Sequence, residues 1–271
     1  MKIINTFLLA LTIFFTISCT EIIDISVVEA KPELVVEAFI GADDFAQVLL
    51  TNSIGLVAND TTLQGVSNAQ VSISNSKGEV DVLTEVKAGT YVSDSIKGVS
   101  GETYQLHIKQ GEKIITATST IPPRIMLDSV RITKVIYPTG GQGNGQQKTD
   151  FFEVNLFFVD PAQLKNYYRV LINYNGKSEL RNLIFNDRFN DGKLVKNTLY
   201  LLKPESKRGD TISVELQCID KPVFTYFESM GNSAMGPRNS SSPANPYTNL
   251  VGNTLGYFSA HTVERKDYIV P

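Results

Sequence analysis

Apolar and polar residues alternate in short runs along most of this chain, and clusters of Gly, Asn, Asp and Ser separate the runs. In the run at 211–219, for example, Ile212, Val214 and Leu216 share one face at a period of two. Successive side chains of a strand point to opposite faces of its sheet, so this period predicts strands with one buried face. Asn175-Gly176 follows another run and favours a hairpin turn. The pattern predicts an all-β protein.

The strand-like runs fall into two groups, with Pro122-Pro123 between them. Neither proline can donate a hydrogen bond to a neighbouring strand, so the pair predicts a domain boundary. Many short strands with closely spaced turns leave few layered architectures other than the sandwich. We therefore predict two β-sandwich domains in series, Ig-like or transthyretin-like, at 33–121 and 124–271.

One short helix is predicted in the second domain, at 222–230. Pro222 lies near its start and Gly231 just past its end, which are favoured positions for these residues. The Ser-, Asn- and Pro-rich stretch at 232–249 predicts a long loop.

The N-terminus has the features of a lipoprotein signal peptide. Lys2 gives a positive start, and an apolar run at 3–17 is too short to span a bilayer comfortably. Ser18 then precedes Cys19, whose thiol would carry a diacylglyceryl group after cleavage at residue 18. An ordinary secretory signal with an incidental cysteine is the alternative. We predict a signal peptide at 1–18, lipidation at Cys19 and a tether at 19–32.

Composition narrows the classes of function. The chain has 271 residues, 42% hydrophobic and 20% charged, which is ordinary globular usage. Its formal charge of −3 argues against a nucleic-acid partner. With only 2 Cys and 2 His, disulfide scaffolds and His-rich metal sites are excluded. Cys218 shares the apolar face of its run and is expected to be a buried hydrophobe.

Three features could carry chemistry. Carboxylate and amide oxygens cluster beside a glycine at 186–192 and could coordinate calcium, or could cap their own turn. The EF-hand spacing is absent, since counting from Asp187 puts Thr198 where a carboxylate is required. His107 is expected on the polar face of its strand, and His261 on the face of Ser259. We predict no metal, no cofactor and no catalytic residue.

Adjacent aromatic pairs recur in the second group of runs. Since neighbouring side chains of a strand point to opposite faces, one member of each pair should enter the core and the other should face solvent, a second sheet or a partner. Core packing is one interpretation, and a partner-binding surface formed with the 232–249 loop is the other. The pairs are Phe151 with Phe152, Phe157 with Phe158, and Tyr167 with Tyr168.

Taken together, these segments resemble one family, the Bacteroidota outer-membrane lipoproteins catalogued as domain of unknown function four-two-four-nine. No single motif is specific, but their order and spacing are. The first domain also resembles the transthyretin-like, carboxypeptidase-regulatory-like sandwich. The matching segments are the leader ending at Cys19, and residues 32–37, 66–73, 89–91, 119–123, 166–169, 186–192, 209–216, 245–249 and 255–258.

The resemblance implies that such lipoproteins are commonly encoded beside TonB-dependent outer-membrane transporters, and it brings no catalytic residues. We therefore expect a non-enzymatic lipoprotein, held in the outer membrane by Cys19, that assists such a transporter in nutrient uptake. A structural or adhesive module of the cell envelope is one alternative, and a hydrolase with an unrecognised site is another. Glu21 and Asp24 do not form a tight acidic cluster, so the periplasmic and surface leaflets both stay open.

Overall fold

The structure is a computed structural model that describes residues 31–55, 62–139, 147–203, 206–234 and 245–271. The predicted signal peptide, Cys19 and nearly all of the predicted tether lie outside the described residues. The residues Pro32–Ile54 and Thr61–Pro271 belong to one compact unit.

Strands dominate this unit, so the predicted all-β, sandwich-type fold is confirmed. The strands are β1 (Leu34–Gly41), β2 (Phe45–Asn52), β3 (Gln70–Asn75), β4 (Val80–Val82), β5 (Thr84–Lys87), β6 (Thr90–Lys97), β7 (Thr103–Gln110), β8 (Lys113–Thr120), β9 (Ser129–Thr139), β10 (Gln147–Val159), β11 (Tyr167–Tyr174), β12 (Lys177–Asn186), β13 (Leu194–Leu202), β14 (Thr211–Ile219), β15 (Leu250–Val251) and β16 (Leu255–Ile269).

These strands form three sheets. The large sheet has eight strands in the order β12-β11-β14-β16-β1-β2-β6-β5. A five-stranded sheet has the order β15-β8-β7-β3-β4, and a three-stranded sheet the order β13-β10-β9. The ladder between β1 and β16 is parallel, and the other ladders between these strands are antiparallel. Strand β16, near the C-terminus, therefore lies in the middle of the large sheet, between β14 and β1.

Two hydrophobic cores lie against the same face of the large sheet. The first core, between the large and five-stranded sheets, contains Tyr91, Tyr104 and Leu106, all buried. The second, between the large and three-stranded sheets, contains Phe152 and Phe158. Alternation along each strand supplies the apolar face that both cores need.

The two cores meet near the predicted boundary but share a strand. Ile121 belongs to the first core and Ile125 to the second, on either side of Pro122-Pro123. Phe258 of β16 packs in the first core, whereas Val270 just beyond β16 packs in the second. Residues after the proline pair therefore complete the core that precedes it.

The predicted helix is present and longer than expected, at Lys221–Ala234, and is called α1 here. Asp220 caps its first turn, because its Oδ1 accepts a hydrogen bond from the Val223 amide at 3.1 Å. The helix packs on the outer face of the large sheet, the face opposite both cores, through Val223 and Phe227. It takes in the start of the predicted 232–249 loop, and residues 235–244 of that loop lie outside the described residues.

The predicted hairpin at Asn175-Gly176 is present between β11 and β12. Both residues have positive φ, 49° and 74°, as a type I′ turn requires. None of the helices in the described ranges is long and apolar enough to cross a membrane.

Candidate functional site

A pocket of about 510 Å³ opens on the outer face of the large sheet, beside α1. We call it the Arg169 pocket. It is lined by Phe39, Gly41, Ala42, Asp44, Arg169, Leu171, Ser178, Glu215, Gln217, Tyr257, Ser259, His261 and Val263.

Strand register brings distant parts of the chain to this pocket. Arg169 of β11 lies opposite Gln217 of β14, and Phe39 of β1 lies opposite Ser259 of β16. Their neighbours Val170, Leu216 and Ala260 enter the cores on the other face. The same alternation that fills the cores therefore places these polar side chains together outside them.

Arg169 sits at the floor of the pocket on an aromatic surface. Its guanidinium carbon lies 3.9 Å from the centroid of the Phe227 ring, in a cation–π arrangement. Its Nη1 donates to Oε1 of Gln217 at 3.4 Å. Burial lowers the pKa of Arg169, and the nearby Tyr257 and Glu37 act in the opposite direction. An arginine stays protonated under such conditions, so the floor carries a fixed positive charge.

His261 is a buried polar group of the same pocket. Only 7% of it is exposed, and its Nδ1 lies 3.0 Å from the Ser259 hydroxyl. Burial, and then the positive charge of Arg169, lower the pKa of His261 to about 4. The imidazole is therefore neutral at pH 7, where it can donate one hydrogen bond and accept another.

Glu215, which lines the pocket, belongs to a group of paired charges that extends beyond it along β16. Arg265 lies 3.7 Å from Oε1 of Glu215, and its Nε donates to Oδ1 of Asp267 at 3.0 Å. Asp44 adds a carboxylate on the side of the β1–β2 turn. The pocket and this group together therefore carry both signs of charge.

A second pocket of about 490 Å³ continues along the same strands. We call it the Arg265 pocket, and the two pockets together the trough. It is lined by Asn173, Gly176, Thr211, Ser213, Arg265, Asp267 and Ile269.

The two pockets take successive outward positions on each strand. Leu171 and Glu215 line the Arg169 pocket, and Asn173 and Ser213, two residues along, line the Arg265 pocket. The trough therefore runs along the strands of the large sheet from α1 towards the β11–β12 turn.

The carboxylates of the turn at 186–192 accept hydrogen bonds from the segment between β10 and β11. Oδ2 of Asp187 accepts from the Asn166 amide at 2.8 Å, and Oδ1 of Asp191 accepts from the Gln163 amide at 2.7 Å. Within the described parts of the chain, no group of three or more His, Cys, Asp and Glu side chains is placed to hold a metal ion. Within the turn itself, Oδ1 of Asn186 accepts from the Arg188 amide at 3.2 Å, as a capping side chain does.

The three remaining candidate side chains lie where their strand patterns place them. His107 is exposed on β7, between buried Leu106 and Ile108. His261 lies on the outer face of β16 with Ser259, at a distance in the chain from His107. Cys218 is 3% exposed in the second core, and burial raises the pKa of its thiol. A thiol of this kind is a packing residue rather than a nucleophile.

The aromatic pairs divide between faces as alternation predicts. Phe152, Phe158 and Tyr168 are 0% exposed in the second core. Their partners point the other way, and Tyr167 packs under α1 with its ring centroid 5.1 Å from that of Phe224. Phe151 lies on the outer face of the three-stranded sheet, where its ring meets that of Tyr200 edge-on at 5.6 Å.

Sequence reasoning did not find Arg169 as a site residue. Its strand position marks it only as pointing away from the apolar face, as many surface residues do. Phe227 and Gln217, which hold it, are 58 and 48 residues away along the chain. Only the register of β11 with β14 and the packing of α1 bring them together.

A family model described as a domain of unknown function, DUF4249, matches residues 20–267. No curated protein matches the chain.

Proposed function

The chain belongs to the DUF4249 family, and from this premise we propose that it is a non-enzymatic lipoprotein of the outer membrane that assists a TonB-dependent transporter in nutrient uptake. Attachment would rest on acyl chains carried by Cys19, which follows an apolar leader. Residues 20 onward match the family, so the family region begins directly after that cysteine.

The chemistry of the Arg169 pocket supports a binding role over catalysis. General acid–base catalysis works best when the pKa of the catalytic group is near the working pH. The pKa of His261 is about 4, and Arg169 stays protonated. Groups in such fixed protonation states are suited to holding a ligand rather than to moving a proton.

The observation that carries the proposed partnership is an apolar surface on the three-stranded sheet. On its outer face, Leu194 is 63% exposed, Tyr200 is 53% exposed and Val159 is 55% exposed. They point away from the second core, which occupies the other face of the sheet. Val159 and Leu194 lie opposite each other in the ladder, and Tyr200 lies further along β13, beyond Lys196 and Thr198. Exposed apolar side chains on one face are typical of protein interfaces. We assign this surface, the β10–β13 face, to the transporter.

Co-purification tests the partnership. The full chain, tagged at its C-terminus, is recovered from solubilised membranes of its own host, and the retained proteins are identified by mass spectrometry. We expect a TonB-dependent transporter among them. Recovery of intact, lipidated protein without any transporter would contradict the proposal.

A pair of variants locates the contact. Leu194→Glu places a charge on the β10–β13 face and should abolish recovery of the transporter, because burying an unpaired carboxylate in an interface is unfavourable. Val86→Glu is the matched control, since Val86 is 64% exposed on β5, an edge strand of the large sheet. Equal loss with both variants would count against the β10–β13 face.

The lipid anchor is tested separately. Labelled palmitate should be incorporated into the wild-type chain and not into Cys19→Ala, and the variant should leave the membrane fraction. Unchanged fractionation of Cys19→Ala would show that another feature attaches the protein.

A further inference from the structure

The trough has the dimensions of a site for an elongated ligand. Its pockets measure about 510 Å³ and 490 Å³ and lie end to end on β11, β14 and β16. Either volume alone lies in the range of pockets that hold small molecules. A ligand that follows the strands would contact both pockets in turn.

The charges of the trough favour a neutral ligand. Glu215 and Asp267 both lie against Arg265, so these three side chains together carry one net negative charge. Arg169 and Asp44 contribute one further charge of each sign. An anionic ligand would meet the carboxylates and a cationic ligand would meet the guanidinium groups, whereas a neutral polar ligand meets neither repulsion.

The main chain of the trough is already paired, which argues against an extended peptide. Strand β14 forms ladders with β11 and β16 on its two sides, and β16 forms ladders with β14 and β1. Recognition by strand addition needs an unpaired sheet edge, and the trough lies on a face instead. A peptide lying here would lose hydration of its own amides without gaining a ladder.

The side chains of the trough suit hydroxyl groups. Gln217 and neutral His261 each combine donor and acceptor capacity, the guanidinium of Arg169 donates, and the carboxylates accept. A hydroxyl group both donates and accepts, so a ligand rich in hydroxyls can donate to the acceptors of the trough and accept from its donors.

Phe39 supplies an apolar platform at the wall of the Arg169 pocket. It lies on β1 opposite Ser259, is 37% exposed, and its ring centroid is 6.2 Å from that of His261. An aromatic ring of this kind packs against the C–H face of a ring-shaped ligand while the polar groups beside it bind hydroxyls.

We propose that the trough binds a short neutral oligosaccharide, with one sugar ring on Phe39 in the Arg169 pocket and the chain continuing into the Arg265 pocket. The inference goes beyond the transporter partnership and can be tested on the isolated protein. Its failure therefore leaves the co-purification result unchanged, and the reverse also holds.

The test is calorimetric titration of the full chain, purified in a zwitterionic detergent that has no sugar headgroup. The probes are neutral gluco-, xylo- and manno-oligosaccharides of several linkages, with oligogalacturonate and an extended polar peptide as comparison ligands. We expect saturable binding of at least one neutral oligosaccharide, and weaker or no binding of the other two classes. Binding of no neutral oligosaccharide, or tighter binding of the acidic sugar or of the peptide, would overturn the proposal.

Two variants link binding to the trough. Phe39→Ala removes the platform and should weaken affinity by about tenfold. Phe189→Ala is its control, because Phe189 is 77% exposed on the turn after β12, outside the trough. Ser178→Arg, at an exposed position lining the Arg169 pocket, should block binding without disturbing a core. Wild-type affinity in both Phe39→Ala and Ser178→Arg would refute the site.

Discussion

At His261, burial decides the charge of the side chain. The ring lies on the outer face of β16, yet only 7% of it is exposed, and Arg169 adds a positive charge nearby. Asp44 favours the protonated form, but its influence is smaller than that of burial. A histidine on the polar face of a strand is therefore held neutral, which its sequence position alone would not indicate.

This residue should make stability depend on pH between 6.5 and 4. The pKa of His261 falls from 6.5 to about 4 on folding, so between these two pH values the unfolded chain binds a proton that the folded chain does not bind. Stability from this group is complete above pH 6.5 and is lost as the pH falls, by about 3 kcal/mol in total. Urea unfolding of wild type and His261→Asn, from neutral pH downward, measures the free energy of unfolding at each pH. This free energy should fall less steeply with decreasing pH in the variant.

His107→Asn is the matched control for this measurement. His107 is exposed on β7, so its replacement should leave the pH dependence of unfolding as in wild type. A wild-type slope in His261→Asn, or a reduced slope in His107→Asn, would contradict the assignment of the proton to His261.

At the scale of elements, the parallel pair of β1 and β16 depends on a glycine. Gly256 lies opposite Val36 and has φ of 104°. A Cβ at this position would lie 1.8 Å from the carbonyl oxygen of Val36. Only glycine lets the two backbones approach closely enough to pair here.

Gly256→Ala should therefore destabilise the protein by more than about 3 kcal/mol, since it combines a strained φ with a backbone clash. Gly101→Ala separates the two effects, because Gly101 has φ of 86° but open space around the added Cβ. This control should cost about 1 to 2 kcal/mol. Chemical denaturation of both variants measures the difference, and equal losses would contradict the clash.

A second contact between elements joins α1 to the five-stranded sheet. The carboxylate of Asp220 caps α1 and also accepts hydrogen bonds from the Ser119 hydroxyl at 2.7 Å and the Thr120 amide at 3.1 Å. The Ser119 oxygen in turn accepts from the Ala260 amide at 2.8 Å. One side chain thus connects the helix, β8 and, through Ser119, β16.

Asp220→Ala should cost about 2 kcal/mol, because it removes the cap and leaves buried partners without an acceptor. Thr225→Ala, at a helix position where the hydroxyl donates only to the Lys221 carbonyl of α1 itself, should change stability little. Thermal unfolding of the two variants provides the comparison. A loss for Asp220→Ala no larger than for Thr225→Ala would show that the connection carries no stability.

At the scale of the whole unit, β16 makes the two cores interdependent. Leu250, Phe258 and Ala260 come late in the chain and belong to the first core, alongside residues such as Val36 and Leu106. Removing the late residues would leave the parallel edge of β1 unpaired and expose apolar side chains of that core.

A fragment of residues 33–121 should therefore not unfold cooperatively on its own, whereas residues 32–271 should show one transition. Circular dichroism in the near ultraviolet, during a denaturant titration of each, measures this. Addition of a peptide of residues 248–262 to the fragment should restore part of its near-ultraviolet circular dichroism. A sharp, independent transition of the fragment alone would show that the first core is complete without β16.

The sequence by itself determined the features that depend on neighbours in the chain. Alternation assigns Phe152 and Cys218 to a core and their neighbours to the other face, Asn175-Gly176 sets a hairpin, and Pro222 with Gly231 indicates a helix. Tertiary structure alone decided which strands meet. The pairing of β1 with β16 joins residues about 220 positions apart, and the trough needs β11, β14, β16 and α1 together. Such contacts depend on packing and register between distant segments, which no local period encodes.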